Sequence, residues 1–284
     1  MKATDSFKTG NKIFSFEFFP PKTPEDTRRL YAAVQELVPL HPAFISVTSS
    51  STGIAAYRTV ALSGLIKHRT GVETVAHLTC IAHTRREISA IAGKLHETGV
   101  ENILALRGDM PESHGLKHRS DYIHAADLVR HLRELGEFCI GVAGYPEGHS
   151  ESPSRQKDIE WLKFKTDAGA DFVITQLFFD NSLYFRFIDD CRRAGISIPV
   201  IPGIMPVTSY PQLRRFTEMC GASIPPGMIR DLERIKNDPS AVEDYGREHA
   251  LRQCRELLER GAPGIHFYTL NRSASTRKIL SQLR

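Results

Sequence analysis

The segment Ser15-Phe16-Glu17-Phe18-Phe19-Pro20-Pro21 sets one carboxylate among aromatic rings. Acidic side chains are seldom buried without a partner. Glu17 is therefore either an acid or base whose proton affinity is set by its surroundings, or half of a core ion pair, with Arg107 the partner to hand. Further along stand His77 in Ala-His-Leu-Thr-Cys, Arg107 and Asp109 in Leu-Arg-Gly-Asp, Tyr145 in Gly-Tyr-Pro and Gln176 in Thr-Gln-Leu-Phe-Phe-Asp. An imidazole moves protons or sits satisfied in a core. Gly108 serves a ligand contact or only a tight turn, and Tyr145-Pro146 can simply end a strand. Singly, each has a structural explanation. Chemistry is indicated only if the fold brings them to one place.

The elements that position them are short apolar runs alternating with amphipathic stretches. The pattern predicts strands over 12–19, 43–48, 73–79, 101–107, 138–143, 171–177, 198–203 and 264–269, with a helical pattern after each of the first seven. Thr84-Arg85-Arg86-Glu87 reads as a capping box before a helix with Ile88, Ile91, Ala92 and Leu95 on one face, ended by Gly99. Thr23-Pro24 starts another, with Leu30, Val34, Leu37 and Val38 turned inward. Gly136, Gly169 and Gly195 stand where later helices should stop. About eight such units in 284 residues predict an α/β fold, a (β/α)8 TIM barrel, as one domain over 1–284. The main alternative is an open doubly wound sheet, but no G-x-G-x-x-G follows any strand. Between strands seven and eight, Val207 to Pro263 break the rhythm. Pro225-Pro226 and Asp238-Pro239 divide them into two or three extra helices.

Side chains alternate along a strand, so parity assigns faces. Phe14, Phe16 and Phe18 share the face that meets the helices. Ile13, Ser15 and Glu17 point into the barrel, and Pro20-Pro21 puts Glu17 near the strand's carboxyl end. The same reading turns inward Ser46 and Thr48 of strand two, His77 of strand three, Arg107 and then Asp109 of strand four, Tyr145 just past strand five and Gln176 of strand six. The polar groups thus gather at the end where barrel enzymes build their sites.

Composition bounds the function. Hydrophobic residues at 41% and charged residues at 25% are an ordinary globular balance, enough to bury a core without disulfides. Cys80, Cys139, Cys191, Cys220 and Cys254 are widely spaced with no CxxC, which fits reduced thiols and not a disulfide frame or zinc site. A net charge of +4 with no Lys/Arg block argues against nucleic acid and suits an anionic small ligand. No apolar run approaches a membrane span, and Met1 to Asn11 lacks the apolar stretch of a signal peptide. The expected location is the cytoplasm.

The residues resemble the methylenetetrahydrofolate reductase family. The matching segments are Ser15 to Pro21, Ala76-His77-Leu78-Thr79-Cys80, Leu106-Arg107-Gly108-Asp109, Gly144-Tyr145-Pro146-Glu147-Gly148-His149, Asp167 to Asp171, Thr175-Gln176-Leu177-Phe178-Phe179-Asp180, Pro202 to Pro206 and His266-Phe267-Tyr268-Thr269-Leu270-Asn271-Arg272. They run in the family's order over nearly the whole chain. The resemblance implies an oxidoreductase acting on CH–NH groups. It implies FAD-dependent reduction of 5,10-methylenetetrahydrofolate to 5-methyltetrahydrofolate, which supplies methyl groups for methionine synthesis. NADH or NADPH reduces the flavin and leaves, and folate takes its place in a ping-pong cycle with hydride passing through flavin N5. Opening the substrate's five-membered ring needs a proton on a ring nitrogen, and Glu17 matches the donor. Asp109 matches an acid near flavin and pterin that steadies the cationic iminium. Thr48, His77, Arg107, Gly108, Asp109, Ala125, Tyr145, His149, Asp158 and Lys165 match cofactor-binding positions. Asp109, Gln176, Gln212, Phe216 and Arg272 match folate-binding positions. Among the FAD-side residues, charge marks Arg107 and Lys165 for the pyrophosphate or ring and Asp158 for a ribose hydroxyl.

Three places depart from the family pattern. Ser49-Ser50-Ser51 stand where relatives often carry an aromatic, His124 where a tyrosine is common, and Trp161 and Phe164 where helix positions are usually polar. They bear on the ribose and adenine side of the cofactor: Trp161 and Phe164 are packing residues, an oligomer contact or an adenine stack. The resemblance also implies a homo-oligomer, and the chain carries no visible stretch for an S-adenosylmethionine regulatory domain. The competing functions are a folate-dependent methyltransferase barrel, a non-catalytic flavin or folate binder, and a flavin-independent form of the same reductase. No Cys/His cluster for a thiolate–metal methyl carrier is visible.

Overall fold

The computed structural model describes residues 2–49, 53–109 and 120–284; Ser50 and Ser51 lie outside the described residues. Nine parallel strands form one sheet: β1 (Ile13–Phe18), β2 (Phe44–Val47), β3 (Thr74–Thr79), β4 (Asn102–Leu106), β5 (Cys139–Gly144), β6 (Phe172–Thr175), β7 (Val200–Ile201), β8 (Gly203–Ile204) and β9 (Gly264–Tyr268). Strand β7 pairs with β6 and β8 with β9, while β1 pairs with both β2 and β9. The seventh strand expected over 198–203 is thus two short pieces broken at Pro202, which has no N–H for a ladder. The Pro202 carbonyl still accepts from His266 N at 2.9 Å. Counted as one stave, β7 and β8 reduce nine strands to eight staves and close the barrel.

The helices are α1 (Pro24–Leu37), α2 (Gly53–Thr70), α3 (Arg85–Glu97), α4 (Ala125–Leu135), α5 (Arg155–Asp167), α6 (Asn181–Arg193), α7 (Tyr210–Cys220), α8 (Pro226–Ile235), α9 (Pro239–Glu259) and α10 (Ala274–Leu280). Their starts follow the signals in the sequence. Thr23 Oγ1 accepts from Asp26 N at 3.1 Å. Thr84 and Glu87 cap each other reciprocally, at 2.8 and 3.2 Å. Asp238 Oδ1 accepts from Ser240 N and Ala241 N at the head of α9. The irregular stretch holds three helices. Of these, α9 packs on α6, β9 and α10 as a barrel helix, so α7 and α8 are the insertion. Gly246 lets α9 lie directly on the chain after β8, since a Cβ there would stand 2.0 Å from the Val207 carbonyl oxygen. None of the described helices is long and apolar enough to cross a membrane.

Parity holds for most of the barrel. Phe14, Phe16, Phe18, Ile103, Ala105, Ile140, Val142, Ile265 and Phe267 pack outward against helices. Ile13, Phe44, Val75, Leu104, Cys139, Phe172, Ile174 and Ile201 fill the interior. Arg107 is the exception to the expected orientation. Leu104 and Leu106 take the inward face of β4, so Arg107 shares the outward parity of Ile103 and Ala105 and lies beyond the strand end.

The amino-terminal segment, which composition marks only as polar, closes the barrel floor. A 3₁₀ turn over Ala3–Thr9 buries Ala3 completely. Ala3 N donates to Asn102 Oδ1 at 2.6 Å, and the Phe7 ring lies 6.1 Å from Phe172. Phe172 also meets Phe44 at 6.0 Å and is fully buried. Replacing Phe172 with alanine removes the ring that joins floor to interior. Urea denaturation should show a loss of about 3–5 kcal/mol; a loss below about 1 kcal/mol would refute this account of the core.

Candidate active site

Above the apolar floor the interior turns polar. Strand β1 contributes Ser15 and Glu17, β2 Ser46, β3 His77 and β9 His266 and Tyr268. The β1–β9 register sets Ser15 opposite His266 and Glu17 opposite Tyr268. His266 is fully buried. Its Nδ1 lies 2.7 Å from Ser15 Oγ, its Nε2 3.4 Å from Ser46 Oγ, and its ring stacks on Phe44 at 5.9 Å. Glu17 Oε2 lies 3.6 Å from His266 Nε2 and 3.4 Å from His77 Nε2. The core ion pair with Arg107 does not form: Glu17 faces two imidazoles instead. Its carboxylate is partly exposed toward the mouth, at 18%.

Burial lowers the His77 imidazole to about 4, against the attraction of Glu17 and with the help of His266. His77 is therefore neutral at physiological pH, and among the described residues its buried Nε2 has no hydrogen-bond partner. Burial also raises Tyr268 well above the ordinary phenol range, and the Glu17 charge adds to this. The Tyr268 hydroxyl donates to the Thr175 carbonyl at 2.6 Å.

The backbone that carries Glu17 is tied down beyond the ladder. Thr269 Oγ1 donates to the Glu17 carbonyl at 2.5 Å. Asn271 Oδ1 accepts from Phe19 N and its Nδ2 donates to Phe19 O, both at 3.0 Å. Leu270 and Asn271 hold positive φ, 52° and 58°. Asparagine adopts that region readily and leucine does not. The turn is kept because it delivers the Asn271 amide to Phe19.

A second feature opens between β4, β5, the first turn of α4 and the length of α5. It is a cleft of about 350 Å³. Leu106, Arg107, His124, Tyr145, Asp158, Trp161 and Lys165 are among the residues that line it. Six of the expected cofactor positions meet here: Arg107, Ala125, Tyr145, His149, Asp158 and Lys165. Burial lowers Lys165 to about 8, with Asp158 pulling the other way. Lys165 Nζ donates to the Ala143 carbonyl at 2.5 Å. Burial raises Asp158 and pushes Tyr145 up to about 12. Arg107 makes a two-pronged pair with Glu151, at 2.6 and 2.8 Å.

The other expected positions stand around the mouth. Thr48 is half-buried, and its N–H donates to Phe18 O at 2.9 Å. Gly108 turns with φ 85°, and its carbonyl accepts from Arg107 Nε at 3.1 Å. Asp109 is exposed at the rim, where its charge bears on Arg107 and Tyr145. Glu17 and Asp109 thus stand at different levels, one in the throat and one on the lip. Gln176 is half-buried past β6. Gln212 and Phe216 lie one turn apart on α7, half-buried; Phe216 packs on the cluster of Leu177, Met205 and Leu213. Arg272 is exposed and borders a small hollow with Thr208 and Tyr268. The groups that motif reading left without a role are Ser15, His266, Tyr268, Asn271 and Glu151. Parity could have found His266 and Tyr268, since every second residue from Gly264 faces inward. Nothing local signals the Arg107–Glu151 pair.

Comparison with known proteins decides the family. The profile described as methylenetetrahydrofolate reductase matches residues 2–284. A 5,10-methylenetetrahydrofolate reductase of Pectobacterium carotovorum subsp. carotovorum is 42% identical over 95% of this chain and 89% of its own length. The chain belongs to the methylenetetrahydrofolate reductase family. Methylenetetrahydrofolate reductase (NADH) 1 of Arabidopsis thaliana is 37% identical over the whole chain, which spans about half of that relative, 51%. An uncharacterized Clostridium thermocellum protein whose structure binds two copies of 5-methyl-5,6,7,8-tetrahydrofolic acid superposes with TM-score 0.64 at 14% identity, over 98% of this chain and 96% of that one. At that identity the likeness concerns the barrel alone. For this family member, Glu17, Asp109 and Gln176 therefore sit on a barrel mouth whose interior is built around two buried histidines.

The His77 shift has a consequence for stability. Between about 6.5 and about 4 the unfolded chain takes up a proton at His77 that the folded protein refuses, so stability falls as pH falls through that window. His77→Gln should flatten the fall. Urea melts at about pH 7 and about pH 5 should differ less in the variant, by on the order of 2 kcal/mol. An unchanged pH dependence would contradict a neutral His77.

Proposed function

We propose that this chain reduces 5,10-methylenetetrahydrofolate to 5-methyltetrahydrofolate with NADH or NADPH, using FAD held in the cleft between β4 and β5. The observation that carries the proposal is the Glu17 carboxyl in the throat, backed by two buried imidazoles and open only toward the mouth. Folate ring opening needs a proton delivered to a ring nitrogen, and a carboxyl so placed supplies it. Because His77 is neutral, its contact with Glu17 is not a fixed salt bridge. His266, clamped by Ser15 and Phe44, holds the carboxyl in place from below.

The cleft suits a dinucleotide in shape and in chemistry. Arg107 and Lys165 give it positive charge, and the first turn of α4 at Ala125 presents helix N–H groups. Asp158 is placed to accept from a ribose hydroxyl, and His77, Thr48 and Gly108 stand at the mouth where a ring would lie. An incoming phosphate competes with Glu151 for Arg107. Bound flavin supplies the hydride that ends on the folate methylene carbon. On the lip, Asp109 offers a negative charge to the cation formed when the folate ring opens. Gln176, Gln212, Phe216 and Arg272 border the mouth on the side away from the cleft, which separates a folate flank from a nucleotide flank. Proton delivery and reductant binding thus fall to different residues.

Stopped-flow measurement of the two half-reactions tests this. Glu17→Gln should reduce folate turnover by at least about 100-fold, the usual share of a general acid, while flavin reduction by NADH or NADPH stays within about threefold. Equal loss in both half-reactions would remove Glu17 from the proton-donor role.

A further inference from the structure

We propose that Ser15 and His266 are positioning residues for Glu17. Ser15 fixes the His266 imidazole with its hydrogen on Nε2, and that N–H keeps the acidic proton on the carboxyl oxygen turned away from the imidazoles. The proposal rests on the reading of Glu17 as proton donor and concerns what makes it one. Ser15 and His266 stand opposite each other in the β1–β9 ladder, and both are fully buried. The His266 ring is held by Phe44, stacked at 5.9 Å, and by Tyr268, edge-on at 5.4 Å.

Two placements of the imidazole hydrogen compete, and charge decides between them. In one, Nδ1 donates to Ser15 Oγ, and Nε2 turns a bare lone pair toward the Glu17 carboxylate. In the other, the Ser15 hydroxyl donates to Nδ1 at 2.7 Å, and Nε2 turns an N–H toward Glu17 Oε2, 3.6 Å away. A lone pair facing a carboxylate repels it, whereas an N–H dipole attracts it. The short Ser15 contact also has the length of an O–H donor. Ser46 Oγ, 3.4 Å from Nε2, accepts on the same side.

The titratable groups that face Glu17 are His77 from β3 and His266 and Tyr268 from β9. The Tyr268 hydroxyl is committed to the Thr175 carbonyl. His77 Nε2 approaches the same Oε2 as His266, at 3.4 Å. One carboxyl oxygen thus meets two ring edges, and the other is left for the proton. When that proton passes to the folate ring nitrogen, the C–N bond opens with its electron pair kept on the nitrogen. Glu17 becomes a carboxylate, and the His266 N–H already points at it. With both ring nitrogens committed, His266 does not draw the proton off beforehand.

The pH dependence of the folate half-reaction, measured by stopped flow on the full chain with flavin bound, tests this. Ser15→Ala frees Nδ1, and His266→Phe keeps the ring stack but has no N–H. Both should slow oxidation of reduced flavin by 5,10-methylenetetrahydrofolate at least about tenfold. Both should also move the alkaline limb of its pH profile up by about one unit, since a carboxylate without its donor is less stable. The pH profile of flavin reduction by NADH should not move. His266→Gln puts an amide N–H where the ring N–H stood and should return the limb to its wild-type position. A limb that stays put in Ser15→Ala and His266→Phe overturns the proposal, even if both are slower. In the unaltered protein, long-range ¹H–¹⁵N NMR of the imidazoles, assigned with a His266 variant, should show the hydrogen on Nε2. A hydrogen on Nδ1 overturns the proposal whatever the kinetics show. If Glu17→Gln leaves folate reduction intact, the proton-donor reading itself fails. If it abolishes reduction while His266 carries its hydrogen on Nδ1, only the Ser15–His266 assignment fails.

Discussion

The pairing of β1 with β9 fixes where the reacting groups can stand. It sets Ser15 against His266 and Glu17 against Tyr268, and the β1–β2 and β2–β3 registers then bring Ser46 and His77 to the same level. A slip of one residue would turn Glu17 into the helix layer and bring Phe16 or Phe18 into the throat. The register is enforced from both ends. Below, Ile13 and Phe44 belong to a packed interior. Above, Thr269 and Asn271 hold the backbone of Glu17 and Phe19 after the ladder has ended. The positive φ of Leu270 is accepted locally so that this clamp can form.

The two flanks of the mouth are built differently. The cleft beside β4 and β5 uses side chains mounted on α4 and α5, helices that lie against the barrel wall, and its charges are partly withdrawn from water, as the lowered Lys165 and raised Asp158 indicate. The side that carries Gln212 and Phe216 borrows α7, which belongs to an insertion and rests on its own apolar cluster of Leu177, Met205, Leu213 and Leu232.

Much of this was legible in the sequence, for identifiable reasons. Strand parity placed Glu17, His77, Tyr145 and Gln176 because each lies within or one step beyond a regular strand. It misplaced Arg107, which follows β4 by one residue and takes the outward side. The strand over 198–203 was legible, but its break at Pro202 into two pieces of two residues was hidden, since pieces so short carry no periodic signal. Long-range polar pairs were equally hidden. Arg107 and Glu151, or Asn271 and Phe19, meet only through the fold. His124, Trp161 and Phe164 were visible as oddities, but their adjacency depends on two helices lying side by side.

The floor plug determines how protons travel. Ala3 and Phe7 seat against Asn102 and Phe172, and the layer above them is apolar. On the proposed proton-donor role of Glu17, such a seal directs its reprotonation to the mouth, the same side on which substrates would enter.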